Sequence, residues 1–155
     1  EGMQSLAEVI KKTTGKDITN YPGAGAAGGM GGGLLAFFNA ELKPGTELLL
    51  KAIDFSEKIK GADLIITGEG KADRQTAMGK VPYGILKEAQ KEHIPVIVLA
   101  GSIENLPELN KAGFKGIFSI APGPITLEKA MEPEFAKENI TRLVSQLYSV
   151  ITSFG

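Results

Sequence analysis

The sequence predicts an α/β fold built on a parallel sheet and preceded by a glycine-rich helical segment. Three observations lead to this prediction. Short apolar runs at residues 64–66, 94–100 and 116–120 alternate with stretches of helical periodicity, which is the pattern of strand–helix–strand units. Each run ends in a polar turn that contains glycine. Seven of the twenty glycines lie between Gly23 and Gly33, so the glycine excess is local and needs a local reason.

Residues 1–60 are predicted to be helical and to form a segment of their own. Leu6, Val9 and Ile10 repeat at helical spacing, and Gly15 is expected to stop that helix. Thr46 is expected to cap a later helix, because a threonine side chain accepts hydrogen bonds from a first helical turn. The predicted helices span residues 3–14, 34–38, 46–55 and 56–60.

Residues 61–155 are predicted to form a right-handed βαβαβ unit with a parallel sheet. The predicted elements are strand 64–66, helix 83–92, strand 94–100, helix 106–112, strand 116–120, helix 126–131 and helix 135–152. The apolar positions of the last helix form one face: Ile140, Leu143, Val144, Leu147, Val150 and Ile151. Because parallel strands end at one edge, we expect the turns at Gly68–Thr76, Gly101–Ser102 and Pro122–Pro124 to gather there.

Composition and charge narrow the class of function. The chain has 155 residues, a formal net charge of −1 and no cysteine. The absence of a basic excess argues against nucleic acid or an anionic membrane as a partner. A chain without cysteine has no disulfide and no thiolate chemistry, which fits a cytoplasmic location. No apolar run approaches the roughly 20 residues that a bilayer span needs. The first residues do not look like a natural start, so we expect a piece of a longer protein.

The stretch T-G-E-G-K-A-D-R-Q-T, at residues 67–76, places seven polar side chains directly after a predicted buried strand. It is predicted to be a long turn at the carboxyl end of the first strand, where open α/β sheets place their ligands. Glycines there allow a backbone to approach a ligand closely. The glycines are Gly68 and Gly70, and the carboxylates are Glu69 and Asp73. With Lys80 just beyond the stretch, the cations are Lys71, Arg74 and Lys80, and the neutral hydrogen-bonding groups are Gln75 and Thr76.

Each of these side chains has a functional and a structural interpretation. Asp73 is a candidate to accept a proton from a hydroxyl or to hold Mg²⁺, and Glu69 is a candidate for the same roles or for a helix cap. Either carboxylate would otherwise satisfy backbone N–H groups of the loop. Lys80 is interpreted as a phosphate contact or as a solvated lysine. Gln75 and Thr76 either bind a ligand or cap the following turn.

The glycine run contains G-x-G-x-x-G at Gly23, Gly25 and Gly28, but the context is wrong for a dinucleotide site. That fingerprint needs a strand just before it and an acidic residue after a second strand, whereas the flanking segments look helical. A dehydrogenase is therefore disfavoured. A glycine-rich turn at a helix N-terminus still suits a phosphate or carboxylate, with Gly25, Gly28 and Gly29 as the candidate contacts. The structural alternative is close helix packing by small residues. No Walker A motif is present.

Three motifs together resemble those of the bacterial glycerate kinase type 1 family. They are P-G-A-G-A-A-G-G-M-G-G-G at 22–33, T-G-E-G-K-A-D-R-Q-T-A-M-G-K-V-P-Y-G at 67–84, and F-S-I-A-P-G-P-I-T-L-E-K-A-M at 118–131. The resemblance runs from about Leu6 to about Leu147 and covers only the C-terminal part of such a protein. The family's N-terminal motif D-S-F-K-G-S is absent. The resemblance implies two α/β lobes, one of them Rossmann-like, with the active site between them. Residues 61–155 would supply the C-terminal portion of the three-layer Rossmann-like lobe, and residues 1–60 would belong to the second lobe or to the crossing between the lobes.

The resemblance also implies an activity. Members of the family transfer the γ-phosphoryl group of ATP to D-glycerate, which implies ATP and Mg²⁺ as cofactors and glycerate as the small-molecule partner. The residues that match the family motif are Gly68, Glu69, Gly70, Asp73, Gln75, Thr76, Gly79, Lys80 and Pro82. Asp73 is the candidate catalytic residue, and Asp73 and Glu69 are the candidate metal ligands. The chain alone is expected to be inactive, and a homo-oligomer remains open. The alternative is a non-catalytic α/β module that binds a small anion or a partner.

Overall fold

The computed structural model describes residues 2–104 and 106–153, and in them the fold is α/β. The elements in chain order are α1 Gly2–Thr14, α2 Ala26–Phe38, α3 Gly45–Ala52, α4 Phe55–Lys58, β1 Ile65–Ala72, α5 Val81–Lys91, β2 Val96–Ile103, α6 Leu106–Ala112, β3 Gly116–Ser119, α7 Leu127–Ala130 and α8 Pro133–Thr152. A short 3₁₀ turn at Thr76–Met78 lies between β1 and α5. Among the described residues, no helix combines the length and apolar character that crossing a membrane requires.

The three strands form one parallel sheet in the order β1-β2-β3. Thr67 of β1 lies beside Val98 of β2, and Leu99 of β2 lies beside Phe118 of β3. This arrangement confirms the predicted parallel sheet, and it brings the carboxyl ends of all three strands to one edge. Residues 67–76 begin on β1 and continue past its carboxyl end. They therefore lie at the edge where such sheets bind ligands.

The chain divides into two compact units, one ending at Leu48 and the other beginning at Leu49. The predicted boundary near residue 60 stays a prediction. Residues 55–58 form α4, which packs on α5 in the second unit. There the Ser56 hydroxyl donates to Glu88 Oε2 at 2.7 Å.

The core of the second unit is built around β2. Val96, Val98 and Ala100 lie on one face of this strand and are buried against Leu86 of α5 and Leu109 of α6. Ile97 and Leu99 on the opposite face are also buried, so β2 is covered on both sides, as expected for the central strand of a parallel sheet. Full burial of each such aliphatic side chain contributes about 1.5–3 kcal/mol. This packing holds rigid the strand beside the site.

In the first unit, α1 packs against α2. Ala7 and Ile10 of α1 pack with Leu35 and Ala36 of α2. A Cβ on Gly32 would lie only 2.6 Å from Ile18 Cδ1, and one on Gly31 would clash with the carbonyl oxygen of Gly23. At these two glycines, close packing against the connector between α1 and α2 explains the residue choice.

The glycine run itself differs from the prediction. A helix was expected to begin at residue 34, but α2 begins at Ala26 and is interrupted by left-handed backbone at Ala27, Gly28 and Gly29. The φ angles of these residues are 51°, 69° and 97°. Glycine adopts positive φ at little cost, so two of the three residues suit this bend. Helical spacing in the sequence does not reveal a local reversal of the backbone. The part of α2 before residue 34 was therefore not predicted.

The first and second strands also differ from the prediction. Residues 67–72 were expected to belong to a turn, but β1 continues through them to Ala72. The second strand was expected at 94–100, but β2 spans Val96–Ile103. The two strands extend together, since Lys71 pairs with Ser102 and Ala72 with Ile103. Strand pairing supplies backbone hydrogen bonds to glycine-rich and polar residues that show no strand pattern of their own.

Among the predicted helix caps and faces, the cap of α7 is confirmed, whereas the cap of α3 is wrong and the apolar face of α8 is only partly covered. Thr126 caps α7 as predicted, because the Lys129 N–H donates to its hydroxyl oxygen at 3.3 Å. Thr46 does not cap α3, which begins one residue earlier at Gly45. In α8, Leu143 is half-buried, but the exposed residues of the predicted apolar face are Ile140, Val150 and Ile151. An amphipathic pattern identifies a shared face and does not say which part of it another element covers.

Candidate functional site

Four predicted side chains meet at the carboxyl edge of the sheet. Glu69 lies on β1, Asp73 follows the strand, Thr76 begins the 3₁₀ turn, and Lys80 immediately precedes α5. They come together because the chain turns back beside the end of β1 before it enters the helix. Pro82 in the first turn of α5 has φ preset for a helix, which helps to place the helix start just after Lys80. We call Glu69, Asp73, Thr76 and Lys80 the edge cluster.

Lys80 bridges the two carboxylates of the edge cluster. Its Nζ lies 3.1 Å from Glu69 Oε1 and 3.5 Å from Asp73 Oδ1. The side chains of Lys80, Glu69 and Asp73 are 34%, 15% and 20% exposed, so these charges are better shielded from water than an ordinary surface pair. The hydrogen bond with Glu69 is the main reason that the pKa of Lys80 is raised above 10.5, with Asp73 contributing and burial opposing. Lys80 is therefore charged at neutral pH.

Asp73 is held by the turn that follows it. Its Oδ1 accepts the backbone N–H of Gln75 at 2.9 Å and that of Thr76 at 3.4 Å, in addition to Lys80 Nζ. Burial raises the pKa of Asp73 and is the largest single effect, but these N–H groups and Lys80 together outweigh it and hold the pKa below 3.8. Within the described residues, the donors that reach this carboxylate converge on Oδ1. Oδ2 is the oxygen left for another group.

Thr76 is fully buried, and its hydroxyl lies between the other members of the cluster. The hydroxyl oxygen is 2.8 Å from Glu69 Oε2, to which it donates, and 3.1 Å from the backbone nitrogen of Asp73, from which it accepts. A predicted ligand-binding residue is thus placed beneath the carboxylates. Its role in binding stays a prediction.

The remaining residues of the polar stretch lie outside the cluster. Gly68 and Gly70 are on β1, and the side chain of Gln75 is exposed. Lys71 is engaged by Glu104, with 2.8 Å between Nζ and Oε1. Glu104 was not among the residues predicted from the sequence. Its signal is its position directly after β2, which the pairing with β1 brings beside Lys71.

The predicted glycine site belongs to the first unit. Gly25 and Gly29 line a cavity of about 190 Å³ together with apolar side chains that include Met3, Leu6 and Ile18. Among residues 2–104 and 106–153, those that line the cavity carry no charged side chain. Anion binding by Gly25, Gly28 and Gly29 stays a prediction, and any such binding would depend on backbone N–H groups.

The described residues offer carboxylates for a metal but no complete protein-built site. In residues 2–104 and 106–153, no group of three or more His, Cys, Asp or Glu side chains is arranged to hold an ion. Glu69 and Asp73 provide oxygen ligands of the type that Mg²⁺ prefers. Both oxygens of Glu69 are engaged, by Thr76 and by Lys80, whereas Asp73 Oδ2 has no donor within this part of the chain.

The sequence model of the glycerate kinase family matches residues 1–152. The chain belongs to the glycerate kinase family. A glycerate kinase of Bacillus cereus is 41% identical over 151 residues, which are 97% of this chain and 39% of that protein. The glycerate 2-kinase of Escherichia coli K12 is 44% identical over 141 residues, which are 90% of this chain and 36% of that protein. The chain therefore spans little more than a third of the length of these glycerate kinases.

A solved structure supports the same family and fold. The crystal structure of a Salmonella typhimurium LT2 protein named as a glycerate kinase 2 matches with a TM-score of 0.68 and 33% identity. The match covers 97% of this chain and 37% of that one. The glycerate kinase family predicted from three motifs is thus confirmed, as is the prediction that the chain corresponds to only part of a family member.

Proposed function

We propose that this chain is part of an ATP-dependent kinase that phosphorylates D-glycerate to a phosphoglycerate. One observation carries the proposal: in a chain of the glycerate kinase family, Lys80 Nζ lies 3.5 Å from Asp73 Oδ1 at the carboxyl edge of the sheet, while Asp73 Oδ2 accepts no hydrogen bond from the described residues. Phosphoryl transfer requires positioning, charge neutralisation and a group that orients the attacking hydroxyl, and needs no covalent intermediate with the protein. A cytoplasmic location belongs to the same proposal.

Asp73 is the proposed base. Since its pKa lies below 3.8, it is ionised throughout the neutral range and able to accept a proton. Oδ1 is occupied by the turn and by Lys80, so Oδ2 would accept the proton of the glycerate hydroxyl as that oxygen attacks phosphorus. The backbone N–H groups of Gln75 and Thr76 fix the orientation of the carboxylate and thereby the direction of Oδ2.

Lys80 is the proposed contact for the transferring phosphoryl group. An ammonium group has three N–H donors, so Lys80 can keep its hydrogen bond to Glu69 and still donate to a phosphate oxygen. Positive charge aimed at the equatorial oxygens stabilises the transition state of phosphoryl transfer. Glu69 would then serve to hold Lys80 in place. Gly68 and Gly70 allow backbone approach on β1, and the exposed amide of Gln75 is available to a ligand.

Mg²⁺ enters this proposal with ATP. Mg²⁺ in kinases is held by one or two carboxylates together with substrate phosphates, which fits the two carboxylates of the edge cluster. As the alternative to its role as the base, Asp73 is the first candidate to hold the ion, through Oδ2, which accepts no hydrogen bond within the described residues. Glu69 is the second candidate, although both of its oxygens are engaged. When bound, the ion would neutralise charge on the phosphates of ATP. Gly25, Gly28 and Gly29 remain candidate anion contacts of the first unit.

The test is an ADP-release assay on a protein of full family length that carries this chain. We expect Mg²⁺-dependent turnover with glycerate and little with a panel of other small hydroxy acids. Asp73→Asn should reduce turnover about 10²-fold or more, which is the scale for loss of a positioned acid–base group. Asp63→Asn is the matched control, because Asp63 is exposed and precedes the same strand. Turnover of Asp73→Asn within a few-fold of wild type would assign Asp73 a structural role.

A further inference from the structure

Thr76 differs from the other members of the edge cluster because none of its side chain reaches solvent. Its exposed fraction is 0%, whereas Glu69, Asp73 and Lys80 remain partly exposed. The motif groups all four as binding residues, but a ligand at the edge of the sheet can touch only the other three while the turn keeps this conformation. The buried hydroxyl therefore needs a different explanation.

The hydrogen-bond partners of Thr76 supply that explanation. A hydroxyl has a single hydrogen to donate. Glu69 Oε2 at 2.8 Å is charged and close, whereas the carbonyl oxygen of Lys71 is 3.5 Å away, so the hydrogen goes to Glu69. A lone pair of the same oxygen accepts the backbone N–H of Asp73 at 3.1 Å. One hydroxyl thus connects a side chain on β1 to the backbone of the turn.

We propose that Thr76 is a positioning residue whose buried hydroxyl locks the Glu69 carboxylate and the backbone of Asp73 together, and thereby holds Lys80 in place. Glu69 accepts from Thr76 with Oε2 and from Lys80 with Oε1, so fixing one oxygen of the carboxylate fixes the other. The consequence for phosphoryl transfer rests on the proposed function, but the lock itself does not.

Removing the hydroxyl should release both connections. Thr76→Val keeps the branched shape and leaves Glu69 Oε2 without its donor and the Asp73 N–H without its acceptor. Unsatisfied buried groups of this kind seek other partners, so the carboxylate is expected to leave its present orientation. Thr76→Ser keeps the hydroxyl and loses only a methyl group. The pair therefore separates the hydrogen bonds of Thr76 from its packing.

The first test follows the lock without an activity assay. Native-state amide exchange followed by NMR should show the Asp73 N–H exchanging about tenfold faster or more in Thr76→Val, because that N–H loses the hydroxyl oxygen that accepts it at 3.1 Å. A tenfold factor corresponds to a loss of about 1.4 kcal/mol of protection. Exchange at Asp73 should stay slow in Thr76→Ser, which keeps the hydroxyl.

The second test measures kcat and KM with ATP and glycerate in a protein of full family length. Misplacement of a reacting group by about 1 Å costs on the order of 10²-fold in rate, so we expect Thr76→Val to lower kcat about 10- to 100-fold. Its KM for glycerate should change little, because Thr76 is buried. Thr76→Ser should restore kcat to near the wild-type value.

The outcomes separate the lock from the proposed function. Slow Asp73 amide exchange in Thr76→Val would overturn the lock. Loss of kcat in a folded Thr76→Ser variant as large as in Thr76→Val would also overturn it, since packing would then explain both. If Thr76→Val does not fold, Thr76→Ala is the second variant without the hydroxyl: fast Asp73 amide exchange in it supports the lock, and slow exchange overturns it. If amide exchange in the variants follows this expectation but the wild-type protein does not phosphorylate glycerate, the proposed function is refuted and the lock stands.

Discussion

At the scale of single residues, one lysine is shared by two carboxylates. Lys80 lies within 3.5 Å of an oxygen of both Glu69 and Asp73. Charges in a partly shielded position interact more strongly than the same charges at an open surface. The two carboxylates carry one more negative charge than Lys80 balances. The cluster can therefore also bind a further cation or accept a hydrogen bond from a proton donor. This balance suits a site that meets a hydroxyl and a phosphate at the same place.

The pH dependence of the cluster follows from the direction of the two pKa shifts. The pKa of Asp73 lies below 3.8, so its contribution to folding is present above that value and is lost as the pH falls through the folded-state pKa. The pKa of Lys80 lies above 10.5, so its contribution is present below that value and is lost as the pH rises through the folded-state pKa. Between these limits the ion pairs of the cluster are intact.

Removal of the lysine charge should therefore change the ionisation of Asp73. In Lys80→Met the pKa of Asp73 should rise, because the attraction of the ammonium group is one of the causes that lower it. If Asp73 is the base, the acid limb of the kcat/KM profile should move to higher pH, and the KM for ATP should increase. Lys60→Met is the control, since Lys60 pairs with Glu57 at an exposed position. If the acid limb stays at the wild-type pH, the ionisation of Asp73 does not control kcat/KM.

At the scale of elements, the site depends on a close contact between β1 and β2. A Cβ on Gly101 would lie 2.7 Å from the carbonyl oxygen of Gly70. A backbone atom cannot move aside as a flexible side chain can. The absence of a side chain at Gly101 therefore allows the two strands to remain paired beyond Glu69, up to Ala72 and Ile103.

Gly101→Ala should consequently destabilise the second unit. Overpacking of this kind costs about 1–3 kcal/mol, and we expect that loss in the free energy of unfolding measured by denaturant titration. Gly70→Ala is the matched comparison, because a Cβ there would meet no heavy atom within 4 Å. Its free energy of unfolding should stay within about 0.5 kcal/mol of the wild-type value. Equal effects of the two substitutions would show that the strands do not meet as closely as described.

At the scale of the whole molecule, the chain exposes many large apolar side chains. On α2, Phe37 and Phe38 are 62% and 77% exposed, and on α7 Leu127 is 78% exposed. Soluble proteins rarely leave such side chains in contiguous exposed patches unless another surface covers them. Within the described residues, β1 and β3 are each paired on one side only, which leaves two sheet edges. The matched glycerate kinases are between two and three times as long as this chain.

The chain by itself should therefore release no ADP in the presence of ATP, Mg²⁺ and glycerate, whereas the full-length protein should. Donor and acceptor must be held together for phosphoryl transfer, and loss of that positioning alone costs several kcal/mol of barrier. The exposed apolar side chains and sheet edges should also make the chain self-associate, which sedimentation velocity measures. Glycerate-dependent turnover by the chain comparable to that of the full-length protein would show that residues 1–155 hold a complete active site.

The sequence by itself was enough to predict the family and the parallel sheet, and the four residues of the edge cluster were among its candidates for a site, whose role stays a prediction. The alternation of apolar runs and helical stretches is a local property, and so is the spacing of Glu69, Asp73, Thr76 and Lys80. Local properties were less informative about boundaries. The strand pattern ended at Ile66, yet β1 continues to Ala72 because a second strand pairs with it.

Only the tertiary structure shows which contacts each residue of the edge cluster makes and which of them is buried. Sequence reasoning could not distinguish Thr76 from its exposed neighbours, because burial depends on how the turn folds back over the end of β1. It also could not show that Lys80 lies on both carboxylates, or that Glu104 engages Lys71 across two strands. The local sequence determines which types of side chain are available to a site. Which atom faces which depends on contacts between residues that are distant in sequence, and only the folded backbone brings those residues together.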